Sequence, residues 1–261
     1  MNRANRVSVI VFPVVAFVIF LAIWRTIVSV AELPAVLLPG PGQVLRSAIE
    51  QAPKLAAAAL MTFVAALGGF LLSLFAGTAV AMLFSQSSIC RQSLYPYAIF
   101  LQTVPIVAIA PIVVIWFGEG TMAVVVISFV VSLFPIISNG TTGMTSISRE
   151  LQELFALNGA TRWQRLCKLQ LPHAMPHLVT GAKISAGLSI LGSIVGEFFA
   201  GAGASRPGLG YLVFAANRQL RMDFLFAAVI TCTLLGVFMF SVVSWIGDRY
   251  LLHWMDRRVG D

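Results

Sequence analysis

Charge is what this sequence has least of. Only 10% of its 261 residues are Asp, Glu, Lys or Arg, where a soluble domain carries about 25%. That shortage excludes a water-soluble globular enzyme. Cysteine is scarce as well: Cys90, Cys167 and Cys232 are the three, far apart and without a Cys-x-x-Cys pair, so no disulfide framework is expected. A Gly-x-x-x-x-Gly-Lys-Ser/Thr loop is missing, so the chain cannot cradle ATP phosphates itself. No His-Glu-x-x-His occurs, and His173, His177 and His253 stand apart from other ligand types. Neither a metal site nor a cofactor is expected, and no nucleophile–base set marks a catalytic residue. What the chain has instead is apolar bulk, 59% of its residues with a mean hydropathy of +0.92. Disorder needs the opposite composition, so the class that remains is a polytopic membrane protein. Its 17 basic residues outnumber 10 acidic ones, but they punctuate apolar runs rather than cluster on one polar face. They therefore speak for loop orientation and against nucleic acid.

A helix needs about 20 mainly apolar residues to cross the hydrocarbon, where the backbone can bond only to itself. Six runs meet that demand, at 7–24, 56–83, 94–117, 121–144, 178–200 and 224–246. The first lacks a small-residue cleavage site and is read as a retained span. Gly118–Gly120 is expected to close the third with a tight turn, and Lys183 and Glu197 interrupt the fifth. The expected fold is all-α, a single domain over 1–261 made of six spans. With both termini inside, ten basic residues fall on inner segments and six on outer ones, which favours a cytoplasmic N-terminus.

The longest polar interval lies between the fourth and fifth spans, at 149–177. Its first part has Leu151, Leu154 and Phe155 at helical spacing. Asn158-Gly159 then breaks the helix, and Thr161 is a plausible N-cap for a second helix carrying Trp163, Leu166 and Cys167. Leu171-Pro172 is expected to stop that second helix. Apolar residues exposed on such a hairpin need a cover, so it reads as a docking element, with an amphipathic helix lying on lipid as the competing reading.

Here the sequence resembles a known family. Glu153-Leu154-Phe155, then Gly159-Ala160, then Leu171-Pro172 twelve residues after the glycine resemble the cytoplasmic EAA loop of bacterial ABC importer permeases, with Leu154 and Phe155 at two alanine positions. Leu38-Pro39-Gly40-Pro41, Val104-Pro105, Ala110-Pro111, Trp116-Phe117-Gly118 and Gly208-Leu209-Gly210-Tyr211 are similar to further family segments. They point to the branch handling nitrate, sulfonates, taurine and vitamin precursors. The resemblance implies a type I importer fold in the bacterial inner membrane and a homodimeric pore. It also implies two cytosolic ATPase subunits and an extracytoplasmic solute-binding protein as partners. Glu153, Gly159, Ala160, Leu171 and Pro172 would then transmit the ATPase stroke.

Polar groups inside the membrane are costly unless they face a partner or water. Glu197 is the sharpest of them, preceded at four-residue steps by Ser185, Ser189 and Ser193. This stripe, with Gln102 and Asn139, is the candidate translocation pathway or gate. Helix–helix packing is the competing reading for the serines, and an ion pair to Arg206, Arg218 or Arg221 the competing one for Glu197. Lys183 is expected to snorkel to the inner surface. A second function stays open, an ion- or proton-driven carrier acting without an ATPase and titrating Glu197. The inverted repeat and paired broken helices common in carriers are not visible.

Overall fold

Long uncharged runs of Leu, Val, Ala and Phe leave the backbone no partner in lipid except itself, and helices follow. The computed structural model describes residues 3–32, 34–203 and 206–252, which form helices joined by short turns with no strand among them. In chain order these are α1 (Arg3–Val30), α2 (Pro41–Glu50), α3 (Ala52–Gln86), α4 (Ser88–Thr103), α5 (Ile106–Phe117), α6 (Thr121–Thr145), α7 (Arg149–Leu157), α8 (Arg162–Arg165), α9 (Leu171–Ala200), α10 (Leu209–Arg218) and α11 (Met222–Ile246). Five stretches are each long and apolar enough to cross a membrane: Val11–Val30, Ala52–Gln86, Thr121–Thr145, Arg162–Gly203 and Met222–Arg249.

The third expected span, 94–117, is not one rod. α4 and α5 meet at 98°, because Val104 is extended at φ −67°, ψ 126°. Proline drives its predecessor out of the helical region, and Pro105 also lacks the N–H that would continue the ladder. Counted as one broken span, the pair brings the total to six. Beyond α5 the chain turns tightly through Gly118 and Gly120, both at positive φ (81° and 121°).

The fifth span also differs from expectation. Leu171-Pro172 does not stop the second loop helix, because a π-helical segment, Leu166–Gln170, carries α8 into α9 without a break. In a regular helix the Pro172 ring would press on the carbonyl of Lys168, four residues back. The π turn bonds five residues back and is wider there, so the helix passes through the proline.

The described residues divide into two compact units, those up to 56 with 212–231 and those from 57 to 211 with the ones from 232 on. In the first unit, α1 runs from Val11 to Val30 without one fully buried residue, and Trp24 meets Phe226 with ring centroids 5.8 Å apart. The short α2 opens on Gly40, whose N–H donates to Gln43 Oε1 (2.9 Å), and it buries Val44 and Ser47. Lys54 and Arg221 both lie over the Phe224 ring, each 5.3 Å from its centroid.

In the second unit the core forms where α6 and α9 pack along their length. Ile127, Val124 and Val195 join Ala110 and Val113 of α5 at one end, while Ile136, Met144, Ala174 and Leu178 meet Ala81 of α3 at the other. Small residues set the approach: a Cβ on Gly192 would stand 2.8 Å from the Ser128 Cα. In lipid, where tails are as apolar as leucine, this close backbone contact is what favours helix association.

Candidate functional site

The loop after α6 is built to hold one shape. Ser148 caps α7, its hydroxyl accepting the Leu151 N–H. That hydroxyl and the backbone N–H of Glu150 hold the Glu150 carboxyl below the usual carboxylate range, its own N–H being the larger cause. Glu153 pairs with Arg149 one turn earlier at 2.8 Å, on the solvent side. α7 ends on two bonds that define a Schellman turn: Ala160 N–H to the Phe155 carbonyl and Gly159 N–H to the Ala156 carbonyl, each 3.0 Å. Gly159 itself sits at φ +68°. Nothing lies within 4 Å of where its side chain would be, so the glycine is needed for its backbone conformation and not for space.

Thr161 then starts the next helix with a reciprocal cap. Its hydroxyl accepts the Gln164 N–H (3.2 Å), and the Gln164 side chain accepts the Thr161 N–H (2.9 Å). Ala160 and Leu171 are half-buried, and Leu171 packs on the cluster of Ile136, Met144 and Leu178. Glu153, Gly159 and Ala160 thus lie on a hairpin that leads directly into α9, whose first residues are Leu171 and Pro172. Leu166 is buried and Phe155 half-buried, whereas Leu154 is 53% exposed, Trp163 70% and Leu157 86%.

The polar stripe of α9 faces inward, against α6 and α3. Ser185 donates to the Ser132 carbonyl (2.6 Å), Ser128 to the Ser189 carbonyl (2.9 Å) and Ser132 to the Ser73 hydroxyl (3.0 Å). Ser193 is fully buried with no hydrogen-bond partner among the described residues. Asn139 is half-buried, donates to the Pro135 carbonyl (2.8 Å) and faces Gly181 of α9. Gln102, expected with the stripe inside the membrane, is exposed beside the bend between α4 and α5, as is its neighbour Thr103. Lys183 reaches Asp248 at 2.8 Å rather than water alone.

Glu197 is buried and makes no ion pair among the described residues. Arg218 instead stacks on Phe214 and Arg221 on Phe224. The Glu197 carboxylate accepts the Thr62 hydroxyl (2.8 Å to Oε1) and the Gly210 N–H (2.7 Å to Oε2). Thr62 in turn accepts the Leu209 N–H at 2.8 Å. Sequence reasoning did not find Thr62. Its one signal is a lone hydroxyl in an alanine-rich apolar run, and its partner lies 135 residues away. His253 and the basic residues Arg257 and Arg258 fall outside the described residues.

Residues 69–252 match the family described as the binding-protein-dependent transport system inner membrane component. The chain is 30% identical over 247 residues to the formylaminopyrimidine transport permease protein of Halalkalibacterium halodurans, covering 94% of this chain and 96% of that one. It is 32% identical over 247 residues to the riboflavin transport system permease protein of Chloroflexus aurantiacus, covering 92% and 88%. Permeases named for aliphatic sulfonates and taurine match as well, in keeping with the branch that the motifs indicate. In fold the chain is similar to the MetNI methionine ABC transporter in inward-facing conformations, with a TM-score of 0.55 at 21% identity, covering 83% of this chain and 98% of that one. The stand-alone carrier finds no support among these relatives. The chain belongs to the family of binding-protein-dependent transport system inner membrane components, the multi-pass permease subunits of ATP-binding-cassette importers.

Proposed function

We propose that two copies of this chain, each one permease domain, form a pore that two cytosolic ATPase subunits open and close for a small solute handed over by an external binding protein. The observation that carries the reading is the hairpin from α7 to α8, rigidly capped at both helix starts and pinned by a left-handed glycine, with Leu154, Leu157 and Trp163 bare on its surface. A docking helix must bind its motor differently in two states, otherwise it shifts nothing, and a rigid hairpin continuous with a span converts that difference into movement. Both termini and the hairpin then lie on the cytoplasmic side, in line with the basic residues of those segments. The bare apolar surface of α1 and of Ile115 and Trp116 in α5 suits lipid and a second copy of the chain.

Of the polar residues named from the sequence, Ser185 through its hydroxyl and Ser189 through its carbonyl tie α9 to α6, and Asn139 bonds within α6. Gln102, exposed at the bend between α4 and α5, is the residue we place on the pathway. The cargo belongs with small solutes of the kind for which the relatives are named, formylaminopyrimidine, riboflavin, sulfonate or taurine.

Co-expression of the chain with the ATPase and binding protein encoded beside it, followed by purification, tests the reading. Wild type should retain an ATP-hydrolysing partner. Gly159→Val should reach the membrane in equal amount but lose that partner or its stimulated hydrolysis. Unchanged capture and hydrolysis in Gly159→Val would remove the hairpin from the coupling role.

A further inference from the structure

α9 runs unbroken for 30 residues, from the loop end at Leu171 to Ala200, about 45 Å at 1.5 Å per residue. A lever of that length needs a hold at its far end. Glu197 supplies one. Its carboxylate takes the Thr62 hydroxyl from α3 (2.8 Å to Oε1, 3.0 Å to Oε2) and the Gly210 N–H from the start of α10 (2.7 Å). Thr62 closes the set by accepting the Leu209 N–H. A Cβ on Gly208 would overlap the carboxylate, so a glycine there is what lets the chain close over it. Two helices and the beginning of a third meet on one buried side chain.

We propose that Thr62 and Glu197 are positioning residues of the transport cycle, clasping the outer end of α9 to α3 and to the start of α10 so that a stroke applied at the loop arrives at all three. The proposal rests on the importer reading above for the stroke itself. It assigns Glu197 the work of a hydrogen-bond acceptor and not of a charge offered to solute or proton. A glutamine can do that work. Its amide oxygen accepts the Gly210 N–H, and its amide nitrogen donates to the Thr62 oxygen. The Thr62 hydroxyl then turns to the Ala58 carbonyl, already 3.2 Å away. An alanine cannot, and it leaves the Gly210 N–H buried without a partner.

The test is amide hydrogen exchange at Leu209 and Gly210 in the full complex with its ATPase in lipid nanodiscs, with no nucleotide and with ADP trapped by vanadate. In wild type these amides should be protected, and their protection should change between the two states. Glu197→Gln and Thr62→Ser should behave as wild type. Glu197→Ala and Thr62→Val should exchange about tenfold faster or more without nucleotide and lose the nucleotide-dependent change while still hydrolysing ATP. Gly208→Ala should speed exchange in the wild-type background and add little to Glu197→Ala, as coupled neighbours do. Equal protection in both nucleotide states of wild type would make the clasp a static pin and overturn the proposal. Glu197→Gln as damaging as Glu197→Ala would overturn it by showing that the charge is what matters. If no ATPase is captured, it is the importer reading that fails. The nucleotide-free comparison of Glu197→Gln, Glu197→Ala and Thr62→Val then decides on the clasp by itself.

Discussion

Gly159 and Thr62 illustrate two kinds of residue that a membrane subunit depends on, one legible in its sequence and one not. Gly159 follows Asn158 at the end of an apolar-spaced helix, and its left-handed backbone at φ +68° follows from local chemistry alone. A residue with a Cβ in that conformation costs about 1–2 kcal/mol, and the open space around it means that this strain is the whole effect. Gly159→Ala should therefore speed amide exchange at Ala160, whose N–H closes the turn, and Gly159→Asn should do so less. Equal exchange in both variants and wild type would show that the turn does not need glycine. Thr62 gives no such local cue. Its function exists only once Glu197, Leu209 and Gly210 have been brought to it from far along the chain. Glu197 is conspicuous as an acid in an apolar run and reads there as part of the pathway or gate, with an arginine ion pair as the competing reading. Arg218 and Arg221 stack on Phe214 and Phe224 instead.

Elements were legible where one period decided them. The fourth span, expected at 121–144, is α6 at Thr121–Thr145, because the glycine turn ending at Gly120 opens a continuous apolar run. Prolines misled in both directions. Pro105 breaks a run that composition alone joins, bending α4 against α5 by 98°. Pro172 fails to end a helix, because the π segment at Leu166–Gln170 absorbs it. The difference is tertiary: Leu166 and Leu171 are packed on Met144, Ala174 and Leu178, which favours keeping the helix over breaking it. If Pro172 maintains that π segment, Pro172→Ala relaxes it to regular helix and turns the hairpin by about 100°, one residue of an α-helix. Membrane levels should then be unchanged and ATPase capture weakened, as a pull-down of the co-expressed subunit would read. The seam between α6 and α9 is the complementary case. Gly192→Leu pushes a side chain into the α6 backbone, and overpacking of this kind costs about 1–3 kcal/mol. A thermal midpoint in detergent equal to that of wild type would contradict the close contact.

Across the whole molecule, apolar surface is left bare in several places, and the assembly proposed above supplies a cover for each. Phe12, Phe17 and Phe20 of α1, Ile115 and Trp116 of α5, and Leu157 and Trp163 of the hairpin are all exposed. Light scattering of the detergent-purified permease should give two copies per particle; one copy would leave α1 and α5 to lipid alone. In the proposed assembly the hairpin is different, since the cover assigned to it is the cytosolic ATPase. The most direct measurement is retention of the co-expressed ATPase by wild type and by a Leu154→Asp, Leu157→Asp double variant, each purified from membranes at equal level. Both leucines are exposed and touch no core, so the variant should fold and insert as wild type does. Loss of the ATPase from the double variant, with retention by wild type, is the expected result, and equal retention by both would contradict the hairpin as the place where the motor takes hold.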